Sequence, residues 1–169
     1  MIYQYELLQD EYRPYLKAVK DLDEESSKIY DEEDTIEILN KYYHMRDCLA
    51  EHNFAVAYNH NGNILGIYQI SIGDYKSCSI YHREIAIFLA LVGATQFKIF
   101  HNHPNNELVV SDADIGSAAA LKTMGDIMEI KFSGSYIVAK MGGRVQMMMI
   151  RCATFIERRY KDGSRQNRN

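Results

Sequence analysis

One strand–loop–helix segment constrains this chain more than any other. Gln96-Phe-Lys-Ile-Phe100 reads as a short apolar strand running directly into His101-Asn-His-Pro104, and a seven-residue stretch then leads to Ser111-Asp-Ala-Asp114, which opens an Ala- and Leu-rich helix to about Ile127. Two histidines two apart at a strand end project from one face, so their imidazoles can converge on one ion. Asp114 lies one turn into the helix, where the loop can return it to the strand end. Two imidazoles and a carboxylate suit Zn²⁺, and three protein ligands leave the fourth tetrahedral position open, the arrangement of catalytic rather than structural sites. Each part also has an ordinary explanation. Ser-x-x-Asp before a helix is a capping box, with Asp114 favourably placed in the positive first turn, and His-x-His at a strand end is common surface sequence. The four residue types together at this spacing arise by chance in on the order of one chain in a thousand of this length, so the combination carries the metal reading.

The rest of the chain supplies a sheet and its cover. Residues 1 to about 30 are Tyr-rich and charged, with Pro14 and no sustained apolar stripe, which predicts a short helix or an extended arm. From Asp34, a candidate N-cap, the spacing of Ile36, Leu39, Tyr43, Met45 and Leu49 predicts a helix over 34–50. Phe54–Tyr58 and Ile64–Ile72 flank the turn cluster Asn59-His-Asn-Gly-Asn63 and predict a hairpin. Arg83–Gly93 is apolar almost all round, as in a buried helix stopped by Gly93. Two further strands are expected at about 130–140 and 144–154, across Met141-Gly-Gly-Arg144. Alternating helices and strands with hairpins at both ends predict a single α/β or α+β domain, a sheet covered by helices.

Composition narrows the function classes. At 169 residues, 47% hydrophobic and 25% charged, the chain is long enough for one buried core. Its longest apolar runs fall short of the roughly 20 residues of a membrane span, and its start lacks a basic-then-apolar leader, so the expected location is the cytoplasm, with no membrane partner. Cys48, Cys78 and Cys152 lack CxxC spacing and are expected as buried small apolar residues. The net charge of −4 argues against a general nucleic-acid binder. It divides between an acidic block over 21–37, expected as a solvated face, and a basic end (Arg151, Arg158, Arg159, Lys161, Arg165, Arg168), expected as a disordered tail over 157–169 able to touch nucleic acid. His44, His52, His60 and His82 have no ligand spacing with one another, and Met147-Met-Met149 is expected to pack in the core.

His101-x-His103-x7-Ser111-x-x-Asp114 resembles the zinc signature of the JAMM (MPN+/JAB) metalloproteases. The surrounding sequence resembles their RadC-like branch, through Glu51-His52 before a strand, Gly66-Ile-Tyr-Gln-Ile-Ser-Ile-Gly73, Arg83-Glu84 and His101-Asn-His-Pro104, over about residues 50 to 138. The resemblance implies an MPN/JAMM-type mixed sheet flanked by helices over 34–156, preceded by a lead-in over 1–33. It implies one zinc per chain, held by His101, His103 and Asp114, with Ser111 as oxyanion donor and Glu51, just before the first strand of the domain, as general base. Glu84, at the opening of the apolar helix, is the competing base, and geometry decides between them. The chain departs from the branch in having Asn105-Asn106 where Ser-Gly is usual after Pro104, Val110 for Pro before the serine, and Gly134-Ser135 for Asp-His. Such a domain hydrolyses a peptide or isopeptide bond of a protein or peptide substrate, in the eukaryotic branch one joined to ubiquitin-like proteins. The alternative implied by the RadC-like branch is a DNA-repair or mobile-element accessory protein. A catalytically silent scaffold has no use for the open metal position.

Overall fold

The computed structural model describes residues 1–141 and 144–150. Seven strands form one mixed sheet in the order β2-β1-β4-β3-β5-β6-β7, built from β1 (Tyr3–Asp10), β2 (Arg13–Asp21), β3 (His52–Tyr58), β4 (Ile64–Ile72), β5 (Gln96–Asn102), β6 (Lys131–Met141) and β7 (Arg144–Ile150). Three helices complete this single α+β domain: α1 (Glu32–Tyr43), α2 (His82–Leu91) and α3 (Asp112–Met128). Among the described residues no helix is long and apolar enough to cross a membrane.

Alternation along the central strands decides which helix packs where. Phe54, Val56 and Tyr58 of β3 and Phe100 of β5 meet Ile36, Ile38 and Leu39 of α1 in one buried cluster. Ala55 and Ala57 of β3 with Phe97 and Ile99 of β5 meet Ile85, Phe88 and Leu89 of α2 and Leu121 of α3 in another. The two clusters therefore lie on opposite faces of the sheet. β5 pairs antiparallel with β3 and parallel with β6, so it is buried on both sides and on both edges.

Several local expectations are corrected. Of the two readings of the lead-in, the extended one holds, as a hairpin. β1 and β2 pair from Tyr3↔Asp21 to Asp10↔Arg13, and β1 joins the sheet beside β4 in parallel at Gln4↔Ile67 and Tyr5↔Tyr68. Most of β2 is exposed, which leaves no apolar stripe to read; Pro14 sits on this edge strand, where no further neighbour requires its missing N–H. α1 begins earlier and ends sooner than 34–50. Asp31, not Asp34, is the N-cap and accepts the Asp34 N–H, while His44 turns left-handed (φ 53°) to close the helix. Met45 is still fully buried, so the apolar periodicity outlasts the helix, but Leu49 is exposed. α2 is not buried all round: Ala90 and Leu91 face outward. Cys48 and Cys78 are free, partly buried and hydrogen-bonded rather than simply apolar. Met147 packs on the α1 cluster, whereas Met149 is exposed. Residues 151–154 of the last expected strand, Cys152 and the basic tail lie outside the described residues.

The acidic block is more than a solvated face. Glu32 Oε1 pairs with Lys98 Nζ at 3.0 Å and accepts the Tyr136 hydroxyl at 2.9 Å, while Lys98 lies over the Tyr58 ring. Burial alone would raise the Glu32 pKa, and the hydrogen bonds from Lys98 and Tyr136 more than reverse it, so the carboxyl titrates below its ordinary 4.5. A carboxyl depressed in the folded state adds stability above its unfolded pKa and loses it as the pH falls through the folded one. Glu32→Gln is therefore expected to cost about 1–2 kcal/mol at pH 7, the pair being about a third exposed on the Glu32 side. Urea unfolding of both proteins should show that difference shrinking as the pH drops below 4.5.

Candidate metal centre

The site forms where β5 ends. Phe97, Ile99 and His101 share the face toward α2 and α3, and the His103 N–H donates to Val138 O (3.0 Å), which carries the β5–β6 pairing one residue past the strand and keeps His103 in step with His101. Their Nε2 atoms approach to 3.2 Å. His103 Nδ1 meets Glu107 O at 2.8 Å, which places its proton there and leaves the Nε2 lone pair free. The loop that makes this possible depends on the residues where the chain departs from its resemblance. Asn106 adopts the left-handed conformation (φ 58°) that glycine otherwise supplies; its N–H donates to His103 O, and its side-chain oxygen accepts the Lys140 N–H.

The expected capping box forms, and its carboxylate lies beside His101. Ser111 caps α3, and Asp114 Oδ2 accepts both the Ser111 N–H (2.9 Å) and its hydroxyl (2.6 Å). This fixes the carboxylate plane and leaves Oδ1 directed at His101 Nε2, 3.4 Å away.

Glu51 enters from the other side. It directly precedes β3, its N–H donating to Asp74 O and its carbonyl accepting the Gly73 N–H. A Cβ at Gly73 would collide with the Ser77 carbonyl and Cys78, so only glycine lets this loop pass so closely. Asn102, the residue between the histidines, points to the opposite face and grips both neighbours of Glu51: its Oδ1 accepts the His52 N–H (2.7 Å) and its Nδ2 donates to Ala50 O (3.0 Å). Glu51 Oε1 thereby lies 3.8 Å from His101 Nε2. Glu51, His101 and His103 each bring one ligand atom within 4.8 Å of the other two, a group able to hold a metal ion.

Burial sets the electrostatics. Glu51 is only 7% exposed, and desolvation raises its pKa, His103 opposing and the negative charges of Asp114 and Asp74 reinforcing the rise. Desolvation likewise pushes His101 down to about 4, so near neutrality its imidazole is uncharged and can offer a lone pair. Glu84 does not join the group; its Oε2 accepts the Tyr68 hydroxyl (2.8 Å) at the start of α2. His52 contacts Gln69, and His44 closes α1. Sequence reasoning passed over Asn102. The available signal was alternation, which places Asn102 on the face opposite its flanking histidines in a strand apolar on both faces.

Residues 29–148 match the family model described as RadC-like JAB domain. The chain belongs to that family. It is 32% identical over 88 residues to a UPF0758 protein of Psychrobacter sp. (strain PRwf-1), covering 52% of this chain and 39% of the relative. It is 31% identical over 88 residues to a UPF0758 protein of Chlorobaculum parvum, covering 52% and 40%, and 27% identical over 97 residues to one of Pelobacter propionicus, covering 57% and 42%. The matches thus span about two fifths of these relatives' length.

Asn102→Ala would leave the Ala50 carbonyl and the His52 N–H without their partner. The expected cost is about 2–4 kcal/mol of unfolding free energy, measured by urea titration. An unchanged midpoint would mean that Gly73 and Asp74 alone hold Glu51 in place.

Proposed function

We propose that this chain is a zinc-dependent hydrolase of amide bonds, a metallopeptidase or isopeptidase acting on a protein or peptide substrate. One zinc is held by His101, His103 and Asp114, with Glu51 as general base. The observation that carries this reading is the set of donor spacings. Zinc–ligand bonds of about 2.0–2.1 Å place neighbouring donors of a tetrahedron about 3.3–3.4 Å apart. The His101–His103 and His101–Asp114 separations, 3.2 and 3.4 Å, match that edge, and the His101–Glu51 separation, 3.8 Å, exceeds it. Asp114 stands outside the group of donors lying mutually within 4.8 Å, so its carboxylate would have to close toward His103 as the ion binds. Proximity alone groups Glu51 with the histidines; edge length favours Asp114 as the third ligand and leaves Glu51 beside the centre.

When bound, zinc supplies a Lewis acid that polarises the scissile carbonyl and brings the pKa of a water from about 15.7 toward about 7. The remaining roles fall to the chain. Glu51 accepts the proton of the attacking water on its carboxylate and delivers it to the leaving nitrogen, and a pKa raised by burial suits it to both transfers. His101 presents a neutral imidazole, and His103 turns its Nε2 toward the same centre. Ser111 is exposed; its hydroxyl, which donates to Asp114 Oδ2 here, would swing from that oxygen to donate to the developing oxyanion.

Protein purified without added metal is expected to contain about one zinc per chain by elemental analysis, a stoichiometry lost in His101→Ala, His103→Ala and Asp114→Ala. Glu51→Gln should keep its zinc while hydrolysis of a cleaved member of a fluorogenic peptide and isopeptide panel falls about 10²–10⁴-fold. Glu84→Gln should retain near-normal hydrolysis. A wild-type protein that neither contains nor takes up zinc would overturn the reading, and an inactive Glu84→Gln beside an active Glu51→Gln would reverse the choice of base.

A further inference from the structure

His101 uses Nε2 toward the centre, and its other nitrogen, Nδ1, is turned into the protein, buried and without a hydrogen-bond partner. A buried donor of this kind is normally satisfied, and metal-binding histidines almost always give their second N–H to a carbonyl, carboxylate or water. His103 conforms through Glu107 O. Among the described residues five buried side-chain polar atoms lack a partner, and one of the others is Asn53 Oδ1. Asn53 lies directly opposite His101 in the antiparallel β3–β5 register, which puts both side chains on the same face with their Cβ atoms about 4.5–5.5 Å apart.

We propose that Asn53 is the positioning residue of His101: its side-chain oxygen accepts the His101 Nδ1–H, directly or through one water, and holds the Nε2 lone pair toward the metal centre. The inference rests on the metal reading above for its purpose, but not for its hydrogen bond. The orientation of the amide follows from its other partner. Asn53 Nδ2 donates to Cys78 Sγ at 2.7 Å, and Cys78 is in turn in contact with the Ser71 hydroxyl. This leaves the oxygen as the end available to His101. The reverse orientation would aim an N–H at the ring, force Nδ1 to act as acceptor and move the imidazole proton to Nε2, the atom 3.2 Å from His103 Nε2. That tautomer has no lone pair to give a metal. Asn53 is 2% exposed, so solvent does not compete for the bond.

Long-range ¹H–¹⁵N spectra of the full chain, metal-free and zinc-loaded, read the His101 tautomer, and chelator competition reads zinc affinity. Wild-type protein and Asn53→Asp, which keeps an acceptor oxygen, should hold His101 as the Nδ1–H tautomer and bind zinc within a few-fold of each other. Asn53→Leu should show mixed tautomers and an affinity lower by about 10–100-fold. Asn53→Ala serves the same comparison where Leu overpacks the site. Nδ1–H retained with wild-type affinity in Asn53→Leu or Asn53→Ala would overturn the proposal. So would equal losses in Asn53→Asp and Asn53→Leu, which would make Asn53 a packing residue. A wild-type chain that takes up no zinc would defeat the metal reading alone, and the metal-free tautomer populations would still decide for or against Asn53.

Discussion

Strand β5 can show only alternate residues to either face, and it is held between β3 and β6, so its register cannot slip. That constraint positions everything at its end. Phe97 and Ile99 fix one face against α2 and α3, His101 follows on that face, and the bond from the His103 N–H to Val138 O extends the alternation by one more residue. On the other face Phe100 anchors the α1 cluster, and Asn102 follows it to clamp the segment carrying Glu51. A one-residue slip would exchange histidines and asparagine between faces and dismantle the site with the core.

The second dependence is electrostatic. Two imidazoles and two carboxylates converge at a place where His101 and Glu51 are nearly out of water. Buried electron-pair donors at such spacing are costly unless a cation or protons lie among them. The chain limits that cost: the capping box engages Asp114 Oδ2, the Glu107 carbonyl accepts the His103 Nδ1–H, and burial holds His101 neutral. What faces the centre is then one nitrogen from each histidine and a Glu51 oxygen, with Asp114 Oδ1 3.4 Å from His101 Nε2.

The parts legible in the sequence are those governed by period and local chemistry. His101 and His103 are two apart on an apolar strand, Ser111 and Asp114 stand at capping-box spacing, and the β3–β4 hairpin carries its turn residues between two apolar runs. Asp114 completes the capping box with Oδ2, while its Oδ1 lies 3.4 Å from His101 Nε2. The parts that were not legible depend on contacts between distant segments. The first hairpin buries so little of β2 that no stripe marks it, and its place beside β4 is set by tertiary packing. Glu51 and Glu84 look alike in sequence; only the fold shows one beside His101 and the other beneath the Tyr68 hydroxyl. Asn102 acts across strands roughly 50 residues apart, a distance that local pattern does not encode.

The central claim is that this centre binds zinc through His101, His103 and Asp114, with Glu51 held outside the ligand set. Diffraction from zinc-loaded crystals, with data collected on either side of the zinc absorption edge, tests it most directly. The account predicts a single anomalous peak about 2.0–2.2 Å from His101 Nε2, His103 Nε2 and Asp114 Oδ1, with both Glu51 oxygens beyond bonding distance. A peak bonded to Glu51 in place of Asp114, or no peak at this centre, would contradict it.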